Sequence, residues 1–419
     1  MIADFYWPYL GGVEQHVRSL AHALVERGHT VTVATLGRSD LADEVDDQGV
    51  LVCRLRSTTQ RMPWLFSSAE RPWAPPFPDP SISRQLRRLI ERHRPHIVHG
   101  HDWLARSFLP LSRWSERRFG TRLVSSLHYY TLSCAKKNLM RTVPAAGATN
   151  EEPCSGPAPL KCLDCARRHY GPITGTITTI TNQLGAAGER RASSAIVAVS
   201  TATARGNGLD PRATNVVVVP NFLTDGPRAA RAGEHGSAAR LGALPHGEFV
   251  MFVGDLRPMK GLDVLLDAYA GSSRSMPLVL IGKSWPDTPT SFPDGVTVHD
   301  RWPNSVVLQA WRRSAIAVVP SVWAEPFGIV VIEAMAAGSP VIGSNVGGVP
   351  EIVDDGVSGL LVPPGDAAAL RAALEDLMGD PARRAAMGAA ARARALHFTA
   401  SAVMPRLEAL YSDVLTTPR

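Results

Sequence analysis

The chain has 419 residues, of which 45% are hydrophobic and 20% are charged, and its formal net charge is +6. This composition excludes a disordered protein, and the length is too great for one ordinary core and favours two domains of about 200 residues each. The modest positive charge suits phosphorylated or anionic ligands. Because neither a basic tail nor an aromatic–basic module stands out, we do not expect nucleic acid as a partner.

Short β-branched runs alternate with helical patterns along the sequence, which is typical of parallel sheets built from strand–helix units. In the first half, the predicted strands are Met1–Phe5, Thr30–Thr35, Val50–Leu55, His96–His99, Arg122–Leu127, Ala195–Val199 and Val216–Val219. Because Met1 falls inside the first strand, either that strand is short or the true start lies upstream. No apolar run reaches the roughly 18 residues needed to cross a bilayer, and no signal-type segment opens the chain, so we expect a cytoplasmic protein.

One predicted helix, Ser81–Arg94, has an apolar face and a basic face. Its apolar face carries Ile82, Leu86, Leu89 and Ile90, and its basic face carries Arg84, Arg87, Arg88 and Arg92. We interpret these arginines as a solvated surface. The alternative is a patch that contacts anionic lipid, which would place the protein at the inner face of the membrane as a peripheral protein.

Three stretches interrupt the alternation of strands and helices. Pro63–Pro80 is rich in Pro, Trp and Phe and predicts an irregular loop, and Thr224–Gly242 is small and polar and predicts a linker. His128–Pro172 shows no strong period, and we interpret it as an insertion. It contains four of the five cysteines, Cys134, Cys154, Cys162 and Cys165.

The C-x19-C-x7-C-x2-C spacing of these cysteines favours a metal over disulfides in a reducing compartment. Four thiolates can hold one tetrahedral Zn²⁺, so we predict a structural zinc that organises this stretch. Fe–S ligation and unligated thiols are the alternatives.

A second series of strands and helices follows residue 220. Its predicted strands are Phe249–Val253, Leu278–Ile281, Val296–His299, Ile316–Pro320, Pro340–Gly343 and Gly359–Val362. Its predicted helices are Leu262–Ala270, Ser305–Arg313, Gly328–Ala337, Ala367–Met378 and Pro381–Leu396. We therefore predict an α/β protein with two doubly wound, Rossmann-like domains, residues 1–220 and 221–398, whose ligands bind in a cleft at the carboxyl ends of the strands. Residues 399–419 are expected to form a helix that packs back on the first domain.

The most informative motif lies between a strand and a helix of the second domain. It places Glu325 on a loop and Glu333 in the helix that opens at Gly328, where free backbone N–H groups can hold a phosphate. In a purely structural interpretation, Glu333 would be an acid on the helix surface and Glu325 would be a partner of the helix dipole. The stretch Glu325-Pro-Phe-Gly-Ile-Val-Val-Ile-Glu333-Ala-Met-Ala-Ala-Gly resembles the E-x7-E motif of retaining glycosyltransferase family four.

This resemblance implies the GT-B fold, in which two Rossmann-like domains face each other across a cleft. It implies that Glu333 binds the ribose hydroxyls of a nucleotide-diphosphate sugar and that Glu325 contacts the transferred sugar near its anomeric centre. Phe327, Gly328 and Ile329 are the neighbouring donor-binding residues. No catalytic metal is expected, because basic residues and helix N-termini neutralise the leaving diphosphate in this fold.

Three more regions match the donor side of the family. The loop after the first strand of the second domain resembles one in which an Arg and a Lys, five residues apart, clamp the donor diphosphate, and Lys260 is the matching lysine. Asp255 replaces the arginine, so we expect Arg257 to supply the charge. Arg301 stands where the family binds the base, and Gly347–Glu351 resembles the glycine turn that approaches the donor.

The first domain carries the residues that resemble the acceptor side of the family. The sequence Pro8-Tyr-Leu-Gly-Gly-Val-Glu14 looks like its P-x-x-G-G-x-E loop, and Gly12 is expected at the donor. His128 ends a strand and matches the histidine that contacts the transferred sugar. The expected acceptor-binding residues are Gly11, Glu14, His101 and Asp102. Insertions with cysteines occur in some members of the family.

These motifs predict a retaining, hexosyltransferase-type enzyme that moves a sugar from a nucleotide-diphosphate sugar to a hydroxyl acceptor of glycan, lipid-linked or natural-product type. Lys260, Glu325 and His128 are its expected catalytic residues. The alternatives are a nucleotide-sugar epimerase of the same fold and a non-catalytic subunit that binds sugar nucleotides. An α-glucan phosphorylase is disfavoured because no lysine stands in a pyridoxal-type context.

Overall fold

The computed structural model describes residues 1–9, 11–61, 74–145, 148–224, 237–273 and 276–417. The chain divides into two compact units, Met1–Pro220 with Met404–Arg419, and Asn221–Val403. Most of the loop predicted at Pro63–Pro80 and most of the linker predicted at Thr224–Gly242 lie outside the described residues.

The first unit is built on one large sheet, and a separate hairpin lies in the cysteine-containing segment. Its strands are β1 (Ile2–Ala3), β2 (Val31–Leu36), β3 (Glu44–Asp47), β4 (Val50–Leu55), β5 (Ile97–His101), β6 (Arg122–Leu127), β7 (Met140–Ala145), β8 (Ala148–Pro153), β9 (Ala195–Ala198) and β10 (Val216–Val218). The order in the large sheet is β10-β9-β6-β5-β1-β2-β4-β3, and only the edge pair β3–β4 is antiparallel. Its helices are α1 (Gly12–Glu26), α2 (Pro80–His93), α3 (Ser112–Phe119), α4 (Pro159–Tyr170), α5 (Pro172–Ala192) and α6 (Thr201–Gly206), and a 3-10 helix spans Trp103–Leu111.

The segment 128–172 and the edge strand β3 differ from the sequence prediction. The segment 128–172 is more regular than predicted, because β7 and β8 form an antiparallel hairpin that α4 follows. Among the described residues these strands pair only with each other, so no sheet core imposes an alternation of apolar and polar residues on them. The edge strand β3 was not predicted because three of its four residues are acidic, and charge of this kind protects an exposed edge.

The second unit contains a six-stranded parallel sheet. Its strands are β11 (Val250–Val253), β12 (Leu278–Gly282), β13 (Val296–Asp300), β14 (Ile316–Val319), β15 (Val341–Ser344) and β16 (Gly359–Val362). Its helices are α7 (Ser237–Gly242), which precedes β11, and α8 (Leu262–Ala270), α9 (Asn304–Trp311), α10 (Ile329–Ala337), α11 (Val349–Ile352), α12 (Ala367–Gly379) and α13 (Pro381–Ala395), and α14 (Ala400–Thr416) ends the chain. The strand order is β13-β12-β11-β14-β15-β16, so the winding reverses between β11 and β14, where doubly wound sheets bind ligands.

The last helix, α14, begins in the second unit, and its residues from Met404 onward belong to the first. Within the first unit, Tyr411 Oη lies 2.7 Å from His99 Nδ1, and an Arg27 guanidinium nitrogen lies 2.8 Å from a Glu408 carboxylate oxygen. These contacts tie the end of the chain to β5 and to the end of α1. Of the helices in the described ranges, none is long and apolar enough to cross a membrane.

Candidate functional site

Two loops meet at the carboxyl edge of the sheet in the second unit. The loop after β11 and the loop after β14 are joined by the N–H groups of Val322 and Trp323, which donate to Met259 O at 3.0 and 3.2 Å. Because β11 and β14 are neighbours at the point where the winding reverses, this contact lies at the edge where parallel sheets bind ligands.

Lys260 and Glu325 come together at this contact. Lys260 Nζ donates to Glu325 Oε1 at 2.5 Å and stands 4.9 Å from the centre of the Trp323 ring. Ser321 Oγ donates to the same carboxylate oxygen at 2.9 Å. Glu325 is buried, whereas a quarter of the Lys260 side chain is exposed. The pair therefore combines a fixed carboxylate with a cation that can still reach an anionic ligand.

A glycine turn supports the loop that carries Glu325. Gly347 has a φ of +62°, and a Cβ at this position would collide with the backbone of Glu325. The N–H group of Gly348 donates to Glu325 O at 2.7 Å. Both the positive φ and the close approach favour glycine, so this turn fixes the backbone beside the Lys260–Glu325 pair.

Glu333 lies on α10 with its side chain buried. Its Oε1 accepts a hydrogen bond from Asn304 Nδ2 at 2.8 Å. Burial raises the pKa of Glu333 to about 7, and the hydrogen bond from Asn304 offsets only part of that effect. No sequence motif pointed to Asn304, although it is the first residue of the helix that follows β13.

The start of α10 presents backbone N–H groups that no side chain caps. Gly328 is the N-cap residue with a φ of +101°, and Ile329 is the first helical residue. Phe327 is buried, and its ring meets the Phe398 ring edge-to-face at 5.8 Å, so it anchors the loop in the core. The start of α10, unlike the buried Phe327 ring, therefore has N–H groups of the kind that can hold an anionic ligand.

Arg257 and Arg301 form ion pairs of their own. Arg257 Nη2 lies 3.0 Å from Asp287 Oδ2, and Arg301 Nε lies 3.2 Å from Asp300 Oδ2. Both arginines therefore pair with neighbouring acids, whereas Glu325 pairs with Lys260. Arg301 adopts a φ of +43°, a conformation that non-glycine residues rarely adopt.

In the first unit, four histidines gather at the carboxyl ends of β5 and β6. His101 Nδ1 lies 2.9 Å from His128 Nε2, and the two rings are stacked. The His16 ring is 5.1 Å from that of His128, and the His99 ring is 4.2 Å from that of His101. Burial lowers the pKa of His128 to about 4, and it lowers the pKa of each of the other three well below 6.5. The cluster is therefore neutral at pH 7.

Beside the histidines, Lys137 bridges the buried carboxylate of Asp4 and the half-buried carboxylate of Asp102. Its Nζ lies 2.6 Å from Asp102 Oδ1 and 3.2 Å from Asp4 Oδ2. Burial, followed by the charge of Asp102, raises the pKa of Asp4 to about 7. Asp102 has a φ of +78°, and strain of this kind persists where the surroundings hold it, often at functional sites. The position of Asp4 just after a strand could have pointed to it, whereas no sequence signal marked Lys137.

The loop before α1 forms the start of that helix. Gly11 is the N-cap residue, α1 begins at Gly12, and Glu14 is buried in the first turn. A Cβ at Gly11 would collide with the Glu14 carboxylate, so the acid folds back toward the helix start, where negative charge is stabilising. Gly11 and Glu14 therefore stabilise the start of α1, Gly11 by leaving room for the Glu14 carboxylate and Glu14 by its negative charge.

The cysteines of the 128–172 segment line one small cavity of about 20 Å³. All of them are free thiols. Within the part of the chain that the structure describes, however, no group of three or more His, Cys, Asp or Glu side chains is arranged to hold a metal ion. The structure therefore does not support the zinc site predicted at Cys134, Cys154, Cys162 and Cys165.

Comparison with known proteins places this geometry in a family. Residues 10–224 match the family described as Glycosyltransferase Family 4, and residues 239–394 match the family described as Glycosyl transferases group 1. A D-inositol 3-phosphate glycosyltransferase from Arthrobacter sp. (strain FB24) is 30% identical over 417 residues, 92% of this chain and 86% of that protein. Another, from Corynebacterium kroppenstedtii, is 34% identical over 224 residues, and this match spans 49% of each chain, about half the length of that relative.

Solved structures share the fold. Sucrose-phosphate synthase from Thermosynechococcus elongatus has a TM-score of 0.69 at 21% identity, covering 96% of this chain and 94% of its own. The Anabaena protein HepE, solved with UDP, has a TM-score of 0.63 at 17% identity, covering 98% of both chains. The predicted GT-B class of two Rossmann-like α/β units is thereby confirmed. The chain belongs to glycosyltransferase family 4.

Proposed function

We propose that this protein is a retaining glycosyltransferase that moves a sugar from a nucleotide-diphosphate sugar to a hydroxyl acceptor. The observation that carries the proposal is the Lys260–Glu325 pair at the carboxyl edge of the sheet, in a chain of this family. Two structural neighbours, HepE solved with UDP and Arabidopsis starch synthase IV solved with ADP and acarbose, support a nucleotide-linked donor.

On the donor side, different residues bind the diphosphate, the ribose and the sugar of the donor. Lys260 and the uncapped N–H groups of α10 hold the diphosphate, and Glu333 accepts hydrogen bonds from the ribose. Glu325 faces the sugar ring and stabilises the positive charge that develops as the bond to phosphate breaks. The acceptor oxygen forms the new bond to the anomeric carbon on the same face, and its proton passes to the departing phosphate oxygen. Arg257 and Arg301 pair with Asp287 and Asp300, so each arginine binds the donor only when the donor displaces its acidic partner.

On the acceptor side, the proposal uses the histidine cluster of the first unit. His101 Nε2 and His128 Nδ1 are buried with no hydrogen-bond partner among the described residues, so a ligand hydroxyl that enters the cluster would satisfy each of them. Asp102, held by Lys137, is the acceptor-binding carboxylate. The names of relatives make D-inositol 3-phosphate the first acceptor to test. A phosphatidyl-myo-inositol mannosyltransferase from Mycobacterium leprae, 32% identical over 200 residues, suggests a lipid-linked inositol as the second.

The test is a panel of UDP-, GDP- and ADP-sugars, with and without D-inositol 3-phosphate and without added divalent ions. We expect one donor to be consumed and the product to keep the anomeric configuration of that donor in its NMR spectrum. Glu325→Gln should lower the rate by about 100-fold or more, as loss of a group that stabilises transition-state charge does. Glu375→Gln, on helix α12, is the control and should keep the rate, because the Glu375 carboxylate accepts hydrogen bonds from Ser273 and has no role at the donor site. An inverted product contradicts retention, and an epimerised sugar formed without acceptor favours the epimerase.

The structural zinc stays a separate proposal. Four thiols line one cavity, and the Thr142 N–H group donates to Cys165 Sγ at 3.2 Å and the Ala158 N–H group to Cys162 Sγ at 3.4 Å, contacts that would also stabilise metal-bound thiolates. Metal analysis of the pure chain should give about one zinc per chain, which Cys162→Ser loses. Cys53→Ala is the control, because Cys53 lies in the core of the large sheet. A metal-free wild-type chain contradicts this proposal without affecting the assignment of sugar transfer.

A further inference from the structure

Helix α5 carries a row of large aliphatic side chains that face solvent. Ile173, Ile177, Ile180 and Leu184 are 77%, 46%, 53% and 69% exposed. They follow one another at intervals of four, three and four residues, which places them on one side of an α-helix. We call these four residues the α5 ridge.

The α5 ridge is uncharged along its whole length. From Pro172 to Gly188, the helix contains no Asp, Glu, Lys or Arg. The other side of α5 is already used, since Thr179, Asn182 and Ala186 are buried in the first unit. An apolar row that stays exposed on a helix whose inner side is packed marks a contact surface.

Positive charges stand near both ends of the α5 ridge. Arg167 and Arg168 are exposed at the end of α4, just before α5, and Arg191 is exposed in its last turn. Asp164 pairs with Arg168 at 2.9 Å and Glu189 pairs with the buried Arg106, so these acids do not offset the charges of Arg167 and Arg191. The surface around the ridge is therefore net basic.

The size and charge of this surface distinguish between a second copy of the chain and a lipid surface. The ridge is about 16 Å long and about 10 Å wide, far smaller than the roughly 800 Å² that each partner buries in a stable protein interface. A two-fold pairing of ridges would also bring the arginines of one copy toward those of the other. Anionic headgroups instead complement the arginines, and the boundary between headgroups and acyl chains accepts the aliphatic side chains.

We propose that α5 docks on a membrane surface that contains anionic lipid, with the α5 ridge inserted at the boundary between headgroups and acyl chains. The basic face of α2, the other candidate from the sequence, is less suitable. Ile82, Leu86 and Ile90 on the apolar side of α2 are buried in the first unit, so these side chains are not available to insert into a lipid layer.

The experiment is co-sedimentation of the full chain with phosphatidylcholine vesicles, with and without phosphatidylglycerol. We expect binding to the vesicles that contain phosphatidylglycerol, and weaker binding as salt is added. Ile177→Glu and Ile180→Glu together should lower the partition coefficient by about tenfold or more, because two aliphatic groups no longer enter the apolar layer. Val357→Glu is the matched control, since Val357 is a 60% exposed aliphatic residue of the second unit.

Thermal unfolding of the double variant should match that of the wild type, because both side chains lie at the surface. A wild-type chain that leaves both kinds of vesicle unbound, or a double variant that binds as the wild type does, overturns the proposal. Light scattering that shows a dimer broken by the double variant also overturns it, in favour of a second copy. None of these outcomes depends on the sugar-transfer activity.

Discussion

Replacing Glu333 with glutamine should change how the stability of the chain depends on pH. The substitution keeps an oxygen that can accept the hydrogen bond from Asn304 and removes the ionisable group. Burial raises the pKa of Glu333 from 4.5 to about 7. At about 1.4 kcal/mol for each pKa unit, this shift corresponds to about 3 kcal/mol of unfolding free energy.

The direction of the pH dependence follows from which state of the chain binds the Glu333 proton more tightly. The folded chain holds the Glu333 proton more tightly than the unfolded chain, so the contribution is fully present below pH 4.5 and is lost as the pH rises through about 7. Urea unfolding between about pH 4.5 and about pH 8 should therefore show the wild type losing about 3 kcal/mol more than Glu333→Gln.

A carboxylate with the opposite shift provides the control. Hydrogen bonds from the Ser273 N–H group and hydroxyl lower the pKa of Glu375, so its stabilising contribution is lost only as the solution is acidified. Glu375→Gln should leave the decline toward pH 7 as large as in the wild type. If Glu333→Gln shows that same decline, the reasoning about the buried carboxyl is refuted.

Three further substitutions test other parts of the structure. Lys137→Met leaves the carboxylates of Asp4 and Asp102 unpaired and should lower the unfolding free energy by about 3 kcal/mol in chemical denaturation, whereas an unchanged midpoint would contradict the bridge. Gly347→Ala adds a Cβ against the Glu325 backbone at a positive φ, so it should lower the free energy of unfolding by about 1 to 3 kcal/mol and slow donor turnover. A fully active variant would contradict this role of the turn. Arg106→Met removes the buried ion-pair partner of Glu189 and should lower the free energy of unfolding by about 3 to 5 kcal/mol. A decrease of about 0.5 kcal/mol or less would contradict this prediction.

Buried parallel strands were predicted well because both of their faces need apolar residues. Val50–Leu55, Arg122–Leu127 and Gly359–Val362 match the structure residue for residue. The first strand is Ile2–Ala3 rather than Met1–Phe5, because the chain turns at Asp4, whose carboxylate accepts the Leu104 N–H group at 2.7 Å. A short apolar run shows that a buried strand exists, but its end depends on a contact that forms only in the folded chain.

In the candidate site too, motifs of neighbouring residues could be predicted from the sequence, whereas contacts between distant residues could not. The spacing of Glu325 and Glu333 is local, so the sequence alone could single out both residues. The contact between Lys260 and Glu325 joins residues 65 positions apart, and it forms because β11 and β14 are neighbours in the sheet. The bridge from Lys137 to Asp4 spans 133 positions, and neither residue stands in a recognisable motif.

Calorimetric titration with UDP, GDP and ADP tests most directly whether the carboxyl edge of the second unit binds a nucleoside diphosphate. We predict that one of the three binds, and that Lys260→Met weakens it by about 10- to 100-fold, the usual cost of losing a hydrogen bond to a charged group. Lys283→Met is the control, because Lys283 stacks on Trp285 at 4.0 Å instead of pairing with Glu325, and it should keep the affinity. Binding of none of the three nucleotides, or equal binding by wild type and Lys260→Met, would contradict the assignment of this site.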